Sequence, residues 1–230
     1  KPFKSLLGNG RKLGMKISYA IQEKPKGIAD AFIIGEKFIG KSNCALILGD
    51  NIFYGQNFSE KLLSAKSRKN GATIFSYPVH DPQRYGVVEL DKKNNPIKIV
   101  EKPKVPKSNL AVTGLYFYDN QIVNIAKSLK PSKRGELEIT DVNKVYLKKK
   151  KLYMESFGRG FAWLDTGTPE SLLTANIFIA NIEQRQGLKI ACLEEITYLN
   201  KWISKLKLKK LTNAMSSGPY KDYLINLIKK

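Results

Sequence analysis

The sequence predicts a three-layer α/β protein with a helical tail. Three observations lead there. Apolar runs of strand length alternate with helix-period segments over the first 77 residues, two strand patterns joined by a polar turn follow, and the last third is helix-patterned and rich in lysine.

The elements read as follows. KISYAI at 16–21 has the composition of a short strand, and an apolar-periodic helix spans about 27–38. CALIL at 44–48 is a continuous apolar run, the pattern of a strand buried on both faces of a parallel sheet, and it stops at Gly49-Asp50-Asn51. A helix near 57–68 and a strand at 72–77 come next. YGVVELD and IKIVEKP, joined by Lys92-Lys93-Asn94-Asn95, predict a hairpin. A strong strand at 110–119 precedes helices near 120–129 and 138–149 and strands at 152–157 and 160–164. Thr168-Pro169-Glu170 opens a helix as N-cap, first-position proline and N-terminal acid, and Gly187 closes it. That helix carries Leu172, Leu173, Ile177, Phe178, Ile179 and Ile182 on more than one face, which predicts packing inside the protein or against another subunit.

The net charge of +20 admits a nucleic-acid or anionic-surface partner. Only six of the 40 basic residues are arginine, and the lysines are scattered. Phosphate-clamping surfaces favour arginine's planar fork, so the charge alone is a poor sign of specific recognition. No apolar run is long enough to span a membrane. Cys44 and Cys192 lie far apart among apolar residues, as reduced thiols of a cytoplasmic protein do. His80 is the single histidine, which excludes a His-based metal cluster, and no Walker A, Ser-His-Asp, C-x-x-C or complete G-x-G-x-x-G pattern occurs.

The candidate chemistry lies at strand ends, where ligands bind in open α/β sheets. Asp50 follows CALIL, and Asp165 ends FAWLD. Two such carboxylates can share a hard cation such as Mg²⁺, or each can simply cap a turn. In Glu101-Lys102-Pro103 the proline ends the strand, leaving a lysine able to bind phosphate and a glutamate able to accept hydroxyl hydrogen bonds; a surface ion pair is the alternative. Gly27 precedes a helix whose N-terminus could hold an anion or let a base approach.

Taken in order, LGDNIFYG, DPQRYGVVE, EKPKVPKSNLAVTGLYFYD, KRGELEITDVN and GFAWLDTGT closely resemble the bacterial glucose-1-phosphate thymidylyltransferases, over about residues 1–200. The resemblance implies a Rossmann-like nucleotidyltransferase fold with a mixed sheet, a partial catalytic domain over 1–190 and a helical C-terminal extension over 191–230 packed on it. It implies transfer of a thymidylyl group from dTTP to glucose 1-phosphate for dTDP-sugar biosynthesis, including rhamnose and the O-antigen of lipopolysaccharide, by a cytoplasmic homotetramer. By position, Gln22 and Gly27 match thymine-recognising residues, while Asp50 and Asp165 match the Mg²⁺ ligands. Tyr85, Gly86, Glu101 and Val112 match the glucose pocket, and Lys102 and Arg134 match the sugar-phosphate contacts. The family's G-G-x-G-T-R-L loop, which cradles the triphosphate, does not occur, so the resemblance implies an N-terminally incomplete domain that does not turn over by itself. Other bases or sugar phosphates remain open within the class. Outside it stand a decayed, noncatalytic fragment and a basic protein binding nucleic acid nonspecifically. Leu193 and Leu199 replace the family's proline and arginine near a regulatory nucleotide site, which removes the expected basis for feedback there.

Overall fold

A computed structural model describes residues 2–229. Along the chain, α1 (Pro2–Leu7) is followed by α2 (Asp30–Ile34), α3 (Glu36–Ile39), β1 (Cys44–Ile47), β2 (Asn51–Gly55), α4 (Phe58–Ser67) and β3 (Ala72–Pro78). Then come β4 (Gly86–Leu90), β5 (Pro96–Glu101), β6 (Leu110–Tyr118), α5 (Ile122–Ser128), α6 (Ile139–Lys148), β7 (Leu152–Ser156) and β8 (Phe161–Asp165). Four helices finish the chain: α7 (Pro169–Gln186), α8 (Leu193–Leu199), α9 (Lys205–Asn213) and α10 (Pro219–Lys229). Two compact units result, one of residues 22–172 and one of residues 1–21 with 173–230.

In the 22–172 unit the sheet order is β5-β4-β6-β3-β7, and β1 pairs with β6 beside this path. The sheet is mixed: β3 and β7 run parallel, and the other pairings are antiparallel. Strand alternation sends Ile74, Tyr116 and Tyr118 into a core with α2, α5 and α6, and sends Phe75, Leu115 and Phe117 the other way against Phe58 and Leu62 of α4. Helices therefore cover both faces, as the alternating pattern predicts. The second core includes Phe157 and Phe161, stacked at 4.0 Å, together with Phe53 of a two-stranded ribbon formed by β2 and β8.

Three local expectations change. The 16–21 segment joins no sheet; Ile21 is 81% exposed, and strand-like composition cannot hold a ladder without a neighbour. CALIL is an edge strand paired only to β6, antiparallel, with Ile47 turned to solvent, so its unbroken apolar run does not reflect burial on both faces. The helix over 27–38 divides at Gly35 into α2 and α3. The hairpin forms as expected, with Asp91 capping its turn: one carboxylate oxygen accepts from the Lys93 and Asn95 amides, both at 2.8 Å.

The unit of 1–21 and 173–230 gathers around Cys192, Ile203, Leu208 and Leu224. Gly14 lies against the backbone of Trp202, where a Cβ would come within 2.3 Å of its carbonyl oxygen. Both cysteines are free thiols. No helix among the described residues is long and apolar enough to cross a membrane.

A carboxylate pair and a polar cavity

Antiparallel register brings the two strand-end aspartates together. In the β2–β8 ribbon Asn51 lies opposite Asp165, so Asp50, one residue earlier, arrives beside it. The Asp50 carbonyl accepts from both the amide and the hydroxyl of Thr166, each at 2.8 Å, which pins this backbone to the end of β8. Both carboxylates then face Gly167. A Cβ built there would lie 3.3 Å from Asp165 Oδ1 and 3.8 Å from Asp50 Oδ2.

The neighbouring Asn51 side chain holds Asp50 in place. Its Nδ2 donates to Asp50 Oδ1 at 2.8 Å. Its Oδ1 accepts from the Gly114 amide at 3.0 Å and from Trp163 Nε1 at 2.7 Å. A side chain at 114 would collide with that oxygen, its Cβ 2.5 Å away. One carboxamide on β2 thus links the preceding turn, the middle of β6 and β8.

Beside Asp165 opens a cavity of about 310 Å³ lined by Tyr85, Gly86, Glu101, Lys102, Val112, Tyr116, Arg134, Glu138 and Thr140, among others. The six sugar-pocket and sugar-phosphate positions picked out by the sequence therefore line one wall system with Asp165. The lining holds Arg84, Lys102 and Arg134 against Glu101, Glu136, Glu138 and Asp165, a polar interior suited to a hydroxyl-rich anion. The Glu101 carboxylate accepts from the Thr140 hydroxyl. Lys102 sits at φ 42°, an unusual angle for a side-chain-bearing residue; its amide donates to Tyr85 O at 3.0 Å and Pro103 follows. Strain of this kind, held by a fixed neighbour, fixes the backbone from which the lysine departs.

Arg134 is already engaged. Its Nε and Nη2 donate to Glu138 at 2.9–3.2 Å, and Ser132 donates to the same carboxylate at 2.8 Å. Burial pushes the Tyr85 phenol upward, and burial with the nearby Glu101 charge pushes Tyr116 well upward, so both stay protonated as donors. The Tyr85 ring tilts against Trp163 at 5.1 Å. His80 lies outside the cavity with its side chain 95% exposed, 3.6 Å from Asp81.

Gln22 and Gly27 meet outside this lining: Gln22 Nε2 donates to Gly27 O at 3.2 Å. Gly27, at φ 96°, packs on Leu137, whose carbonyl oxygen would be 2.4 Å from a Cβ. The Leu137 amide donates to Lys26 O, and the Ala29 amide to Leu137 O. The Gly27 turn is thereby fastened to the segment that carries Arg134 and Glu138.

The profile of the nucleotidyl transferase family matches residues 1–182. The chain belongs to the nucleotidyl transferase family. A glucose-1-phosphate thymidylyltransferase of Neisseria meningitidis is 54% identical over 99% of this chain and 79% of its own length. One from Mycobacterium tuberculosis is 48% identical over the same shares. The structure of a Bacillus anthracis glucose-1-phosphate thymidylyltransferase with sucrose superposes at a TM-score of 0.68, with 41% identity, covering 77% of this chain and 70% of that one. A UDP-glucose pyrophosphorylase bound to UDP-glucose superposes at 0.64 with 26% identity, over 78% and 73%.

For a nucleotidyl transferase the donor set at Gly167 is informative. Among the described residues no three His, Cys, Asp or Glu side chains stand close enough together to hold a metal ion by themselves. Two oxygen donors over an open glycine fit a hard cation that takes its other ligands from water and substrate phosphate, the habit of Mg²⁺. Asn51 and Glu138 escaped the sequence reading because an amide beside an aspartate, or a glutamate four residues after an arginine, carries no chemical signature alone. Asn51→Ala leaves the Gly114 amide and Trp163 indole without their acceptor, and urea unfolding should show a loss of about 2 kcal/mol. Unchanged stability would contradict the linking role of Asn51.

Proposed function

We propose that the protein transfers a thymidylyl group from dTTP to glucose 1-phosphate, releasing pyrophosphate and giving dTDP-glucose. The observation that carries this reading is the convergence of Glu101, Lys102, Arg134 and Asp165 on one cavity, with Asp50 facing Asp165 across Gly167. The names of relatives up to 54% identical support the same substrates.

In this reading Tyr85, Gly86, Glu101 and Val112 receive the glucose. Glu101, positioned by Thr140, accepts from sugar hydroxyls. Lys102 and Arg134 take the sugar phosphate; the lysine acts as a fixed point charge and the arginine as a planar fork. Arg134 must share or exchange its Glu138 contact when the phosphate arrives. Gln22 and Gly27 receive the base. Asp50 and Asp165 would hold Mg²⁺, which supplies charge neutralisation for the two phosphates that must meet. Positioning is the main contribution of this chain, because phosphoryl-type transfer needs alignment and electrostatic stabilisation more than covalent help. The setting is the supply of dTDP-sugars for cell-surface polysaccharides in the cytoplasm, by a homo-oligomer. Exposed apolar side chains on α7, including Leu173 and Ile177, are available for such packing.

The reading makes two demands on the full-length gene product, followed as dTDP-glucose formation. Asp50→Asn should lower Mg²⁺-dependent turnover by at least roughly a hundredfold, since an amide cannot replace a charged metal ligand. Full activity would remove the metal role. Lys102→Ala should raise KM for glucose 1-phosphate by roughly tenfold or more while KM for dTTP stays within about twofold. An unchanged dependence on the sugar phosphate would move Lys102 out of that contact.

A further inference from the structure

The side-chain amide of Gln22 has its orientation chosen for it. Besides the Gly27 carbonyl at 3.2 Å, its Nε2 donates to Asp30 Oδ2 at 2.9 Å. A carbonyl and a carboxylate can only accept, so the NH₂ end must face both. The reversed amide would set Oε1 against two oxygens, one of them charged. The carbonyl oxygen is therefore the atom Gln22 has left to offer. Asp30 can do this because it is the first residue of α2, held back over the loop by its own amide, which donates to Gly27 O at 3.3 Å.

We infer that Asp30 is a positioning residue for base selection: it makes Gln22 present a hydrogen-bond acceptor to the nucleotide base, favouring pyrimidines that carry an N3–H. The inference rests on the proposed reading that the base sits at Gln22 and Gly27. Thymine and uracil both donate from N3. Cytosine has a lone pair there, which would oppose the Gln22 oxygen. The contact reads the keto-pyrimidine edge and is blind to the 5-methyl group, so it separates dTTP and dUTP from dCTP but not from each other. Asp30 touches Gln22 rather than the base, and acts only through the amide it fixes.

The test is isothermal titration of the full-length gene product with dTTP, dUTP and dCTP, for the natural protein, Asp30→Ala and the near-isosteric Asp30→Asn. The natural protein should prefer dTTP and dUTP to dCTP by roughly tenfold or more, the scale of one oriented hydrogen bond. Asp30→Ala should shrink that preference severalfold and leave the dTTP to dUTP ratio unchanged. Asp30→Asn, which can also donate and so tolerates either orientation of Gln22, should fall between and serves if the alanine variant does not fold. A residue that merely stabilised the start of α2 would weaken all three nucleotides alike, and unchanged ratios in the folded variants would overturn the inference. Equal binding of dTTP and dCTP by the natural protein would instead overturn the placement of the base itself.

Discussion

The carboxamide of Asn51 is the contact on which the site depends. It accepts from a backbone amide of the central strand and from an indole of the β2–β8 ribbon, and it donates to the carboxylate that faces Asp165. The acceptor end joins β2 to β6 and β8, while the donor end holds the adjacent Asp50 in the β1–β2 turn, so one group with definite ends sets both. The network is part-buried, and its value depends on every member being satisfied. No buried side-chain nitrogen or oxygen among the described residues lacks a partner.

The same scaffold brings both kinds of charge to one lining. Two carboxylate oxygens lie near Gly167, and Lys102 and Arg134 line the same cavity as Asp165. Lys102 is held by an unusual φ and by the Tyr85 carbonyl. Arg134 is held by a two-point ion pair with Glu138. Part-exposed ion pairs of this type add little stability, so their weight lies in orienting the guanidinium.

Much of this was legible in the residues. Strand and helix order, the hairpin and the Thr168 cap follow from periodicity and turn chemistry, whereas the strand ends offer Asp50 and Asp165 equally as metal ligands or turn caps. What escaped is what local pattern cannot encode. Whether CALIL is buried on one face or two depends on which strands flank it, and KISYAI has strand composition without a ladder partner. Glu138 and Asp30 matter through the particular donor each one faces. Asn51 could have been suspected only by knowing that β2 pairs with β8, a contact between residues more than a hundred apart.

The central proposal is that Asp50 and Asp165 hold a cation, with no side chain at Gly167 to crowd their oxygens. Gly167→Ala tests it directly, through Mn²⁺ affinity of the full-length gene product measured by electron paramagnetic resonance, with thermal unfolding as the control. The added methyl would sit 3.3 Å from one carboxylate oxygen and 3.8 Å from the other, in contact with both proposed ligands. The account predicts affinity lower by roughly tenfold or more in a protein that unfolds at the same temperature. Undiminished Mn²⁺ binding by the folded variant would contradict it.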